Sequence, residues 1–299
     1  MATEDQVVGS ILGGAIGDAF GGPYEGRRGP LILNETSHWC VSDDTQLTLA
    51  TVEAILESSA VDPERIAASF VDWYRRGDVT GTGSSTLKAL RDLAAGGHWA
   101  LSGRKGEMAA GNGAAMRIAP LAFFVDPDTQ DSRRLIRDVC RITHSSDEAY
   151  VGALAVVLAI RKVLSGSWTS DLSLLRAVAD ELPDVRVTER LLELAALDPQ
   201  TPPREVAAEF GCSGYVVESV PLALFSASRA PAIGFEAVIS EVVQAGGDTD
   251  TNASIAGQVA GAWLGAAAIP DSLRERLPIA GSVVALARRL HAHSAAAPN

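Results

Sequence analysis

Gly246-Gly247-Asp248-Thr249-Asp250-Thr251-Asn252 is the stretch whose reading decides the fold. Two glycines lead into two carboxylates and two hydroxyls, and an apolar run of small residues follows from Ala253 to Ile269. This reads as a tight turn feeding a buried helix. Acids at a helix start gain from unpaired backbone N–H groups and from the helix dipole, so capping accounts for one of them. It does not easily account for Asp248 and Asp250 together with Thr249 and Thr251, against a helix too apolar to face water. A hard cation does, because Mg2+, Mn2+ and Ca2+ prefer carboxylate and hydroxyl oxygens. Capping and metal binding both stand at this point.

Glycines recur every four residues in that run, at Gly257, Gly261 and Gly265, and again near the start of the chain, at Gly13, Gly17 and Gly21. A glycine costs about 1 kcal/mol in a helix interior relative to alanine. Close approach of another backbone is the usual offset. We therefore expect a first helix over 6–20 and a late helix, both central and packed closely. Asp18 interrupts the apolar face of the first one. Glu25 follows in a loop framed by Gly22-Pro23 and Gly26, where a solvated acid is the plain reading.

Ser42-Asp43-Asp44-Thr45 opens the next expected helix, 45–58. Capping again suffices for one residue, but two carboxylates between two hydroxyls repeat the pattern of the Gly-Asp-Thr-Asp-Thr stretch. Adjacent residues at a helix start point about 100° apart, so the pair could serve neighbouring ions. Further expected helices run 63–76 with Phe70, Trp73 and Tyr74 inward, then 86–95, 114–124 and 131–141. Ser145 and Glu148 form a capping box for a helix over 149–164. The chain from 165 to 245 carries no concentrated chemistry and reads as helices over 170–182, 188–197, 203–210, 215–228 and 235–245. Helices over 272–277 and 283–295 finish it, with a frayed tail. Two glycine turns, Gly81-Thr82-Gly83 and Gly111-Asn112-Gly113, precede expected helices. Each is a plain linker or turn, or a cradle whose N–H groups meet a phosphate. His144, just before a cap, is structural or catalytic.

The chain has 299 residues, a formal charge of −12, 47% apolar and only 5% aromatic residues. Small aliphatic side chains favour close-packed helices over a β-sandwich, so an all-α fold in a single domain over 1–299 is expected. With no Lys/Arg-rich run, nucleic acid and anionic membranes are poor partners. The late apolar run is too short and too rich in Gly and Ala for a membrane span. Three scattered cysteines, Cys40, Cys140 and Cys212, give neither a disulfide framework nor a zinc spacing. They fit a reducing, cytoplasmic setting, and we expect a monomer.

Glu25, Asp43, Asp44, Asp248 and Asp250 would repel one another strongly in one cleft unless neutralised. Two divalent cations would do so, and such pairs sit about 3.5–4 Å apart and clamp oxygens of one substrate. The ordered set Gly13-Gly14-Ala15-Ile16-Gly17-Asp18-Ala19, Gly22-Pro23-Tyr24-Glu25, Ser42-Asp43-Asp44-Thr45, Gly111-Asn112-Gly113-Ala114-Ala115-Met116-Arg117, Thr143-His144 and Gly246–Asn252 resembles the ADP-ribosylglycohydrolase family. The resemblance implies an all-α orthogonal helical bundle with two Mg2+ or Mn2+ ions. It implies Ser42, Asp43, Asp44, Asp248, Asp250 and Thr251 as metal ligands, and Glu25 or Asp44 as the group that handles the proton. Gly81, Gly83, Gly111, Asn112, Gly113 and His144 would then form the ADP-ribose cleft. The implied substrate is an ADP-ribosylated protein, through arginine or serine. A free ADP-ribose ester or conjugate, or ADP-ribose binding without catalysis, are the alternatives. One departure stands out: Ala109-Ala110 replaces a polar or aromatic pair found before the Gly-Asn-Gly turn in some members.

Overall fold

Small side chains let helices pack backbone to backbone, and the chain is helical almost throughout. The computed structural model describes residues 2–34, 39–166 and 173–296. These form sixteen α-helices: α1 (Glu4–Gly21), α2 (Asp43–Ser58), α3 (Pro63–Arg76), α4 (Ser84–Ala94), α5 (Trp99–Ser102), α6 (Gln130–Arg141), α7 (Asp147–Leu164), α8 (Ser173–Ala179), α9 (Arg186–Ala195), α10 (Pro203–Phe210), α11 (Val216–Ser228), α12 (Ala230–Ile233), α13 (Phe235–Gln244), α14 (Thr249–Leu264), α15 (Asp271–Arg276) and α16 (Ala280–Ala296). Most expected helices are present with ends shifted by a turn or less. The expected 170–182 helix lies partly outside the described residues, as do the end of the tail and part of the loop after Glu25. No described helix is long and apolar enough to cross a membrane.

The spaced glycines are where α1 and α14 touch. A Cβ on Gly9 would lie 2.2 Å from the Gly261 carbonyl oxygen. On Gly13 it would lie 2.4 Å from the Gly257 oxygen, on Gly17 2.1 Å from the Ala253 oxygen, and on Gly21 2.3 Å from the Thr249 oxygen. Partner numbers fall along one helix as they rise along the other, so the pair is antiparallel. Gly265 continues the same face one turn on, its carbonyl carbon 2.8 Å from where a Cβ on Gly9 would lie, and it also caps the end of α14 at φ 82°. Around this pair, α2 and α16 pack on α1, while α7, α11 and α13 pack on α14.

Three expectations are corrected. The segment 114–124 is not an α-helix but two 3-10 turns, Ala115–Arg117 and Ala119–Phe123. Pro120 has no N–H to give to the Met116 carbonyl, which instead accepts from Gln258 Nε2 of α14 at 2.6 Å. The capping box is also misplaced. Ser146 caps α7, accepting from Ala149 N at 3.1 Å, and Glu148 reaches across to the Arg186 and Val187 amides at the start of α9. Of the three aromatics expected inward on α3, Phe70 is buried, while Trp73 and Tyr74 are half-buried.

Two short strands, β1 (Arg104–Lys105) and β2 (His144–Ser145), pair in parallel. Two residues carry no readable strand period, and neither strand is expected from sequence. They fix His144 beside the cleft described next.

Candidate active site

Asp18, the one carboxylate on the buried face of α1, takes over the capping of α2. Its carboxylate is wholly buried and accepts from Ser42 N and Oγ and from Thr45 N and Oγ1, at 2.5–3.1 Å. Thr45 N is an amide that an N-cap side chain ordinarily satisfies, and Ser42 N the one that the third helical residue takes in a capping box. Ser42 Oγ adds a bond from Asp44 N at 3.3 Å. With the helix start capped from outside, the Asp43 and Asp44 carboxylates are released to face a cleft. The capping alternative is thereby answered for this pair.

The same holds at α14. Asp248 is the N-cap residue, yet its side chain makes no capping bond. Its carboxylate instead accepts from Asn112 Nδ2 at 2.6 Å, and its backbone N–H is held by the Cys212 carbonyl at 2.9 Å. Gly246 and Gly247 adopt φ of 82° and 78°. A Cβ on either would lie 2.3 Å from backbone, at Gly29 N and the Cys212 oxygen respectively. The Glu25 loop is stitched to this turn in both directions, Gly26 N to Gly247 O and Gly247 N to Arg27 O, each 2.8 Å. A residue more than two hundred positions earlier is thus carried next to Asp248.

All five acids singled out from sequence line one pocket of about 570 Å3. One oxygen each from Glu25, Asp248 and Asp250 lies within 4.8 Å of the other two, and so do oxygens of Asp18, Asp44 and Asp250. Ser42 Oγ and Thr251 Oγ1 both reach Asp44 Oδ2, at 3.1 and 3.3 Å. Gly81, Gly83, Gly111, Asn112, Gly113 and His144 line the same pocket, with the uncapped N-terminus of α4 at Ser84–Thr86. Ser42 is not in the lining; it stands behind Asp44 and Asp18. Asn112 does more than border the cleft, since it ties Asp248 to Ser219 Oγ at 2.9 Å. Ala109 and Ala110 present no polar side chain. Their carbonyls receive Ser146 Oγ and the Val216 amide, and exposed Met108 stands at the rim.

Sequence reading missed two contributions. Asp18 carried a signal, a carboxylate on an apolar helix face with no partner nearby in sequence. The 165–245 region is not chemically idle: Ser213 and Gly214 wall the pocket, and the Cys212 and Gly214 carbonyls hold Asp248 N and Asn112 N. Backbone carbonyls leave no mark in a sequence.

Burial, then mutual repulsion, drives these acids toward protonation. Asp43 is raised to about 7 and Asp250 to about 9; Asp44 is raised well above the usual carboxylate range, and Asp18 is raised by burial to about 6. Folding therefore holds these protons more tightly than the unfolded chain does. Stability from that source is full below the ordinary carboxylate value of 3.8 and is lost as pH rises through about 7 and 9. Each unit is worth about 1.4 kcal/mol per group. In chelator, the melting temperature is expected to fall from about pH 5 to about pH 8, opposite to the common carboxylate trend. A chelated protein that grows more stable over that interval would contradict the arrangement.

The donor set suits hard divalent cations. Asp44 Oδ1 is buried with no hydrogen-bond partner among the described residues. Carboxylate and hydroxyl oxygens crowd around it, and among the described residues the acidic clusters contain no sulfur or imidazole ligand.

An all-α scaffold around one carboxylate-walled cleft, bordered by glycine turns and a bare helix N-terminus, defines a helical protein with an acidic pocket whose oxygen donors suit hard cations. The chain belongs to the ADP-ribosylglycohydrolase family, whose model matches residues 1–299. It is similar to ADP-ribosylhydrolase ARH3 of Bos taurus, 26% identical over 341 residues, covering 95% of this chain and 91% of that one. A protein of Archaeoglobus fulgidus is 30% identical over 309 residues, covering 96% of each. Among solved structures, a chain of an ADP-ribosylglycohydrolase-related protein complex superposes with a TM-score of 0.73 at 28% identity, covering 97% of this chain and 98% of that chain. The family assignment makes this chain a glycohydrolase of ADP-ribosyl groups.

Proposed function

We propose that the chain is a divalent-cation-dependent hydrolase that releases ADP-ribose from a modified protein side chain, through an N-glycosidic arginine or O-glycosidic serine bond. The observation that carries this reading is the meeting of Glu25, Asp43, Asp44, Asp248 and Asp250 in one pocket, with a buried Asp44 oxygen left unpartnered. Asp43, Asp44, Asp248, Asp250 and Thr251 would hold two Mg2+ or Mn2+ ions, with Ser42 and Asp18 fixing the helix that presents the first pair. When bound, such ions supply Lewis acidity and positive charge beside the scissile bond.

The chain's own groups divide the remaining work. No lysine or arginine is among the described residues lining the pocket, so a diphosphate depends on N–H donors. The N-terminal turn of α4 and the Gly111–Gly113 turn offer them. Glu25, at the mouth, has its carboxyl raised by partial burial and by Asp248, which suits a group that gives and takes a proton there. Asp44 is the second candidate for that role. A cleft of about 570 Å3 is within the range of about 300–1,000 Å3 that holds small ligands.

The test is ADP-ribose release from arginine-modified and serine-modified peptides with Mg2+ present. Release from one and not the other assigns the linkage. Release from neither, with tight ADP-ribose binding, replaces hydrolysis by binding alone. Glu25→Gln is expected to lower turnover by about 10²–10⁴-fold, the usual worth of a positioned acid–base group, with ADP-ribose affinity unchanged. Equal loss of affinity and turnover would move Glu25 from proton transfer to ligand binding.

A further inference from the structure

Arg117 is wholly buried, and the chemistry above does not use it. Its Nη2 donates to the Val139 carbonyl at 3.2 Å and to Thr143 Oγ1 at 2.9 Å, and the Phe70 ring lies 4.7 Å from Cζ. Nε and Nη1 have no hydrogen-bond partner among the described residues. Burial lowers its pKa to about 10, which leaves it cationic at neutral pH. A buried cation this thinly compensated is costly, and the feature it serves is the hydroxyl it touches.

Thr143 is also wholly buried. Arg117 can only donate, so it occupies a lone pair of Thr143 Oγ1. The single hydroxyl proton then needs an acceptor, as buried polar groups do. His144 Nδ1 lies 2.9 Å away. It can accept only when the imidazole proton is on Nε2. The ring is held in place from two further sides. Its backbone belongs to β2, and its Nε2 edge packs under the Gly-Asn-Gly turn, where a Cβ on Gly111 would come within 3.1 Å of Nε2 and one on Gly113 within 2.7 Å of Cε1. His144 lines the pocket with both glycines.

We propose that Arg117, acting through the Thr143 hydroxyl, locks His144 as the neutral tautomer with its proton on Nε2, facing the pocket as a fixed donor to an oxygen of the bound ligand. Arg117 and Thr143 are then positioning residues. Burial, Arg117 and Arg104 together lower the His144 pKa to about 3, which agrees with a neutral ring. Only the identity of the ligand rests on the ADP-ribose reading; the lock itself does not.

Long-range ¹H–¹⁵N spectra of the full-length protein read the tautomer directly. In wild type, His144 is expected to show a protonated Nε2 and a bare Nδ1. Thr143→Val keeps the shape and removes the hydroxyl. It is expected to give a mixture of tautomers and to weaken ADP-ribose binding about tenfold, the worth of roughly one hydrogen bond. Thr143→Ser should restore both. Arg117→Met should loosen the tautomer in the same way; if it does not fold, the Thr143 pair still decides. A wild-type ring protonated on Nδ1, or a Thr143→Val protein with unchanged spectrum and affinity, overturns the proposal. If ADP-ribose binds none of these proteins, the spectra alone decide the lock, and the failure falls on the ligand assignment.

Discussion

Asp44→Asn is expected to lower ADP-ribose release by about 10³-fold or more while raising the melting temperature of the metal-free protein. The two effects have one cause. Asp44 is buried, with Asp250, Asp18, Asp43 and Asp248 all acting to repel its charge. Replacing it with a neutral amide of the same shape removes the cost, above the ordinary carboxylate pKa, of either charging or protonating this acid on folding, which stabilises the bare fold. The same change leaves one side-chain oxygen where the acid has two, one of them unpartnered, and removes a unit of negative charge from the cation site. A contribution of several kcal/mol to the reacting charge is at stake, and each 1.4 kcal/mol is about tenfold in rate. Activity assays beside thermal melts in chelator check both. Near-normal turnover, or a variant less stable than wild type without metal, would remove Asp44 from the centre of the account.

Gly257→Val is expected to destabilise the fold by about 3 kcal/mol or more. Its added Cβ would meet the Gly13 carbonyl oxygen at 2.2 Å, far inside contact distance, and both atoms belong to backbone that cannot move independently. The contact recurs every helical turn along α1 and α14, so separating the pair at one point opens the rest. Overpacking a core costs about 1–3 kcal/mol and occasionally more; a side chain driven into another backbone falls at the top of that range or beyond, a large share of a typical stability of about 5–15 kcal/mol. Gly281→Ala is the control. It lies in α16 with nothing within 4 Å of the added carbon, so it should be neutral or gain up to about 1 kcal/mol. Urea unfolding measures both. A Gly257→Val protein as stable as wild type would show that α1 and α14 do not touch as described.

These two variants also mark what the sequence made legible. Glycines every four residues pointed to close packing of α1 and α14, because approach of another backbone is the usual offset for their cost in a helix. The doubled acids at Ser42–Thr45 and Gly246–Asn252 announced a site, because one cap needs one acceptor. Neither pattern could show that the ends meet, since that depends on register: Gly21 opposite Thr249 brings the end of α1, and with it Asp18 and Glu25, to the start of α14. Asp18 was visible as an oddity, but its role was not, because it caps a different helix 24 residues away. The 3-10 turns over 115–123 were misread as α-helix because apolar content outweighed a single proline. The wall supplied by 212–214 was invisible because it acts through carbonyls.

Cations complete the acidic cleft in the proposed chemistry, and re-metallation tests that most directly. Chelated protein is titrated with Mn2+ while bound ions per chain and ADP-ribose release from a modified peptide are measured together. The expected result is negligible release without metal, rising with occupancy and levelling at two ions per chain. Full release by the metal-free protein, or no Mn2+ bound at all, would contradict it.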